Sequence, residues 1–144
     1  MSTPAIIVCT VNGACLDVMT ASLNAYVPRD VERYVHHKVG KNFGDAYNFA
    51  AREAFKRHDE ILVCNDDIVF TPTTWAVLLA DVTKLRKVVP NLGYVATRSD
   101  YARGEQNVRS GRGKIDFLRY QSERHIVETP VIAPICAWIH RDSW

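Results

Sequence analysis

Residues Ile61-Leu62-Val63-Cys64-Asn65-Asp66-Asp67 constrain this chain more than any other stretch. The apolar run leaves no polar face, so it reads as a strand covered on both sides, as in a parallel sheet between helix layers. It ends in adjacent carboxylates. In such sheets ligands bind beyond the carboxyl ends of the strands, where the strand order reverses. Two acids held together there repel each other unless a cation neutralises them. A hard divalent metal carrying a phosphorylated ligand meets that need. The plainer alternative is a turn or helix cap that happens to use two acids, and these seven residues alone do not separate the two.

The rest of the chain supplies context. Ala5-Ile6-Ile7-Val8-Cys9 is a second continuous apolar run, broken by the turn chemistry of Thr10-Val11-Asn12-Gly13. Leu16, Met19, Leu23 and Tyr26 recur at helical spacing up to Pro28. Val31 to His37 predicts a strand and Gly40 to Gly44 a loop. Ala46, Ala50, Ala54 and Phe55 mark a helix closing near His58. Thr71-Pro72 predicts a helix start, a capping hydroxyl followed by proline at the first helical position. The stripe Trp75, Leu78, Leu79, Val82 and Leu85 follows, with Trp75 read as core, and Pro90-Asn91 ends it. Leu92 to Thr97 reads as a strand, 98–114 as a polar, mobile loop, and Ile115 to Tyr120 and Val131 to Ile139 as late strands.

Strands alternating with helices predict an α/β fold: one domain over residues 1–144, with a mostly parallel central sheet flanked by helices in three layers. Right-handed crossovers would bring the loops after Cys9, His37 and Cys64 to one edge. That edge collects Thr10, Asn12, Lys41, Asn42, Asp66 and Asp67, a set suited to a nucleotide.

Composition narrows the partners. A length of 144 residues suits one domain with a real core. A net charge of +2 is too small to argue for nucleic acid or a membrane surface. The arginine-rich loop from Arg98 to Lys114 carries a single aromatic, Tyr101, too few for a base-stacking platform, so it reads as a lid over phosphates or as a solvated loop. No apolar run approaches the roughly 18 residues of a membrane span, and the start of the chain leads directly into a strand without a signal pattern. The four cysteines show no CxxC or Cys/His metal spacing and read as reduced and mostly buried. Together these features lead to an expectation of a cytoplasmic protein.

Four pieces of the chain, in order, resemble one family. They are Ile7-Val8-Cys9-Thr10-Val11-Asn12, then Asn42-Phe43-Gly44 followed by Asn48, then Asn65-Asp66-Asp67-Ile68, and last Ala137-Trp138-Ile139-His140-Arg141. The chain thereby resembles the family 2 glycosyltransferases of the Rossmann-like GT-A fold over nearly its whole length. The resemblance implies an inverting transfer of a sugar from a UDP-, GDP- or dTDP-linked donor to an acceptor hydroxyl, with Mn²⁺ or Mg²⁺ as cofactor. It implies that Thr10, Val11 and Asn12 contact base and ribose, that Asn42 and Lys41 lie beside the nucleotide, and that Asp67 ligates the metal. Asp66 would serve the donor sugar or ribose, or share the metal. His140 is a weaker metal candidate, and Arg98 or Arg103 would supply charge from the lid.

The match departs from the family in two places. The acidic motif reads Asn65-Asp66-Asp67, with Asn where the family's Asp-x-Asp element begins. The family pattern also continues past the last strand with a glycine and an acidic segment holding the catalytic base, whereas this sequence stops at Asp142-Ser143-Trp144. The chain is therefore expected to be a truncated or minimal form, and Asp100, Glu105, Asp116 and Glu128 are the remaining candidates for the base. Plainer readings stand beside several of these roles. Lys41 can be a solvated lysine, His36 and His37 can simply end a strand, and Trp138 can be buried in the sheet rather than shape the acceptor side. A non-catalytic nucleotide-sugar binding module is the alternative function. A nucleotidyltransferase would want a glycine-rich basic loop after the first strand, which Thr10-Val11-Asn12-Gly13 does not supply. An uncovered sheet edge would suit association with a second copy.

Overall fold

The computed structural model describes residues 3–11, 13–37, 42–98, 126, 128–129 and 132–144. Within them the chain runs β1 (Ala5–Thr10), α1 (Gly13–Tyr26), β2 (Arg33–His37), α2 (Phe43–Ala54), β3 (Glu60–Asn65), α3 (Thr74–Leu85), β4 (Tyr94–Ala96) and β5 (Cys136–His140), closing in a 3₁₀ turn at Arg141–Ser143. The expected late strand at Ile115 to Tyr120 and the loop from Ser99 to Lys114 lie outside the described residues.

The five strands form one sheet in the order β2-β1-β3-β5-β4. β1 pairs in parallel with both β2 and β3. β5 pairs antiparallel with both β3 and β4. The sheet is thus mixed: four strands share a direction and β5 opposes them. β5 begins at the edge where β4 ends, so it runs back between its two neighbours.

Alternation along the strands divides the interior in two. Ile6, Val8, Leu62, Cys64, Cys136 and Trp138 face one layer with Met19 and Leu23 of α1 and Trp75, Leu78 and Val82 of α3. Ala5, Ile7, Cys9, Ile61, Val63, Ala137 and Ile139 face the other with Ala46, Tyr47, Ala50, Ala51 and Ala54 of α2. Helices on both faces explain why β1 is buried throughout its length and β3 through Cys64. Each fully buried Ile or Leu in these strands contributes about 1.5–3 kcal/mol of transfer free energy. Four alanines on the inner stripe of α2 let its backbone lie close to the sheet, and Asn42 starts that helix by accepting a hydrogen bond from the Asp45 N–H at 2.9 Å.

Several boundaries differ from expectation. β2 starts at Arg33 rather than Val31, and β4 spans Tyr94–Ala96 rather than Leu92 to Thr97. α2 and α3 end at Ala54 and Leu85, short of His58 and Pro90. α3 begins at Thr74, three residues after Thr71, and its N-cap Thr73 makes no side-chain capping bond. Thr71 and Pro72 instead belong to the preceding turn, where the Thr71 N–H donates to Thr74 Oγ1 at 3.0 Å and the two hydroxyls meet at 2.8 Å. α2 starts at Phe43, inside the expected loop, because the Asn42 cap precedes it. The last strand starts at Cys136 rather than near residue 131; Pro134 just before it lacks the N–H that a ladder needs.

Candidate functional site

The path of the chain defines a switch point. From β1 the chain crosses through α1 on one face to β2. It then crosses back through α2 on the opposite face to β3, on β1's other side. The carboxyl ends of β1 and β3 therefore flank the place where the strand order reverses, which is where open α/β sheets bind ligands. Thr10 ends β1 and Asn65-Asp66-Asp67 follows from β3.

These two ends are bonded together. Thr10 Oγ1 donates to Asp66 Oδ2 at 2.6 Å, from a side chain only 2% exposed. That contact is short, as bonds to a charged acceptor are. The main chain leading into the turn is fixed as well. The Asn65 N–H donates to the Ile135 carbonyl at 2.9 Å, and the buried Tyr47 hydroxyl donates to the Cys64 carbonyl at 2.8 Å. Beyond the turn, the N–H of buried Phe70 donates to Ser22 Oγ at 3.0 Å, while Ser22 donates to the Met19 carbonyl at 2.7 Å. The acidic turn is therefore held by α1, α2, β1 and the strand-entry residue Ile135.

Asp67 sits at the outer side of this anchored turn. Its side chain is exposed and makes no hydrogen bond or ion pair among the described residues. Asp66 is half-buried and lies close enough to Cys9 and Tyr47 to influence both. Burial, and secondarily the Asp66 charge, pushes the Cys9 thiol up to about 11. Burial dominates the upward displacement of the Tyr47 phenol too, with Cys9 and Asp66 contributing. Both groups are held neutral.

The other candidates are distributed around this centre unevenly. Val11 follows Thr10 and is 75% exposed at the edge. His37 pairs in register with Thr10, and His36 packs its ring against Phe49 at 4.9 Å. Asn42 lies at the start of α2, its side-chain oxygen engaged as the cap; next to it, half-exposed Phe43 stacks edge-on against Tyr47 at 4.6 Å. Arg98 leaves β4 on the same side, since the Thr97 N–H donates to the Cys136 carbonyl opposite Cys64. Asn12, Lys41, Asp100, Arg103, Glu105 and Asp116 lie outside the described residues, and Glu128 is exposed.

His140 is not brought to this edge. It pairs with Glu60 at the opposite end of β3, about 16 Å of strand away from Asn65. There its Nδ1 lies 3.5 Å from Asp142 and accepts from the Asp142 N–H. The antiparallel course of β5 is the reason, and it carries Asp142 to the far end too. Trp138 is fully buried in the sheet, donating to Glu60 Oε2 at 2.9 Å. A cavity of about 530 Å³ lined by Asn24, Arg29, Val31 and Arg33 opens near the start of β2, also away from the aspartates.

Among the described residues no three His, Cys, Asp or Glu side chains cluster as a metal cage. A cation carried on a diphosphate needs less, because Mg²⁺ keeps several waters and takes one or two carboxylates plus phosphate oxygens. Asp67, with Asp66 behind it, fits that smaller requirement. Tyr47 and Ser22 are the site-supporting residues that sequence reasoning missed. A polar side chain on the inward stripe of a helix was the available signal, as with Tyr47 beside Ala46 and Ala50 and Ser22 beside Leu23.

No protein-family model matches the chain, and a search of curated proteins found no match to it.

Proposed function

We propose that this edge binds the diphosphate of a nucleotide-sugar donor through a divalent cation, and that the chain is the core of a metal-dependent glycosyltransferase of the GT-A type. The observation that carries the reading is the anchored acidic turn at the switch point: Asp66 tied to Thr10 at 2.6 Å, with Asp67 beside it and open to solvent. A structural pair of turn acids has no need of four separate tethers. A pair that must meet a ligand at fixed geometry does.

Asp67 would hold Mn²⁺ or Mg²⁺, and the free oxygen of Asp66 would face the donor's ribose or sugar. Bound there, the cation would neutralise the charge that develops on the nucleoside diphosphate as it leaves. Thr10 acts on the ligand through Asp66, by fixing the orientation of its carboxylate. Val11 and Phe43, exposed on either side, offer apolar surface to a base. Arg98 brings positive charge toward the phosphates. The acceptor's proton must go to a base, and Asp100, Glu105, Asp116 and Glu128 remain the candidates.

A donor-binding module without transferase activity is the second reading. It is favoured by the course of β5, which takes His140 and Asp142 away from the edge. Turnover separates the two. With Mn²⁺ present, the glycosyltransferase reading expects slow release of free nucleotide from one of UDP-, GDP- or dTDP-sugars above the metal-only background. Tight donor binding with no release above background would select the module.

A further inference from the structure

Cys64 and Cys136 are paired across β3 and β5, with their sulfurs 3.8 Å apart. The ladder on either side fixes what kind of pair they form. The Asn65 N–H donates to Ile135 and the Arg141 N–H to Asp59, which makes these the hydrogen-bonded positions. In antiparallel strands such positions alternate with non-hydrogen-bonded ones, where Cα atoms approach to about 4.5 Å. Cys64 opposite Cys136 is a pair of the second kind. That separation falls inside the range of about 4.4–6.8 Å that a disulfide spans. Both thiols are reduced, and both side chains point into the same core beside Phe70 and Trp75. Cys9 faces the other core and Cys15 lies in α1, so neither shares this arrangement.

We infer that Cys64 and Cys136 form a reversible dithiol–disulfide pair whose oxidation displaces the acidic turn. Cys64 is the residue immediately before Asn65-Asp66-Asp67, and its carbonyl receives the Tyr47 hydroxyl. Bridging shortens the sulfur separation by about 1.8 Å, to the S–S bond length. Because the core is close-packed, the strands must take up part of that closure.

The oxidant is a hydroperoxide, and the chemistry balances with hydrogen peroxide. One thiolate attacks a peroxide oxygen, the O–O bond breaks, and a sulfenic acid and water result. The second thiol attacks that sulfur, the S–S bond forms, the S–O bond breaks, and a second water leaves. The two thiols together lose two electrons and two protons, and the peroxide is reduced.

Wild-type protein treated with hydrogen peroxide should yield a cross-linked peptide joining Cys64 to Cys136, reversed by a thiol reductant. The amide signals of Asn65, Asp66 and Asp67 should shift in its ¹H–¹⁵N spectrum. Cys136→Ala, or Cys64→Ala if the first is poorly folded, should show neither change. A folded protein that forms no such cross-link overturns the inference, as does a cross-link that leaves those amides unmoved. The consequence for donor binding rests on the function proposed above: metal-dependent nucleotide affinity should fall several-fold on oxidation. Reduced protein that binds no nucleotide would overturn that function, while the cross-link and amide shifts are judged separately. Equal affinity in the two forms would overturn control of the site.

Discussion

The Thr10 hydroxyl aims its proton at Asp66 from inside the sheet, and this changes the role expected of it. The family resemblance implied a direct contact with the nucleotide, but a side chain 2% exposed and bonded to a carboxylate is placed to orient that carboxylate. Thr10→Val keeps the shape and removes the donor. It should cost about 1–2 kcal/mol by denaturant unfolding and weaken metal-dependent nucleotide binding without abolishing it. The position of the aspartates was legible in sequence because a continuous apolar run ends directly in them. Their tethers were not. Tyr47 and Ser22 come from helices whose facing partners, the Cys64 carbonyl and the Phe70 N–H, are main-chain atoms, so their place on the inward stripe signals a buried polar group but not which partner it meets.

At the scale of elements, β3 leads into the acidic turn at one end and opens on a buried ion pair at the other. Glu60 opens the strand, 6% exposed, accepting from Trp138 Nε1 and pairing with Arg86 at 2.8 Å, while the Arg86 guanidinium lies 4.8 Å over the Trp138 ring. Removing Glu60 leaves the buried Trp138 Nε1 without this acceptor and the half-buried Arg86 without this counterion. Glu60→Ala should therefore lower stability by about 2–3 kcal/mol in denaturant unfolding, with any nucleotide binding preserved in the remaining folded protein. The continuous apolar runs located β1 and β3 because burial on both faces leaves a plain signature. The direction of β5 had no such signature. Its sequence reads the same in a parallel or an antiparallel neighbour, and only the pairing decides. That single undetermined direction is why His140 stood as a weak metal candidate, with a surface histidine beside Arg141 the better reading; it lies beside Glu60.

On the scale of the whole molecule, the described residues also carry a charged cluster at the end of the sheet opposite the aspartates. Away from the aspartates, Glu32 joins the entry to β2 with the exit of α2 through Arg57 and His58. The His58 hydrogen bond is the largest cause and, with the Arg57 charge, holds the Glu32 carboxyl below its ordinary range against the upward effect of burial, which ranks second. A carboxylate depressed in the folded state stabilises above its unfolded pKa, and that stabilisation is lost as pH falls through the folded value. Glu32→Gln should accordingly flatten the acid limb of melting temperature against pH and change little at neutral pH once its constant offset is removed. Among the described residues no helix is long and apolar enough to cross a membrane. At the opposite end Asp67 stands exposed on its anchored turn, placed to hold a nucleotide-bound cation in the function proposed above. Calorimetric titration with UDP, GDP and dTDP, with and without Mn²⁺, on wild type and Asp67→Ala, tests that role most directly. The account predicts one nucleotide that binds only with the metal, and no binding in a variant that melts like the parent. Metal-dependent binding that survives Asp67→Ala, or a wild type that binds none of the three, would contradict it.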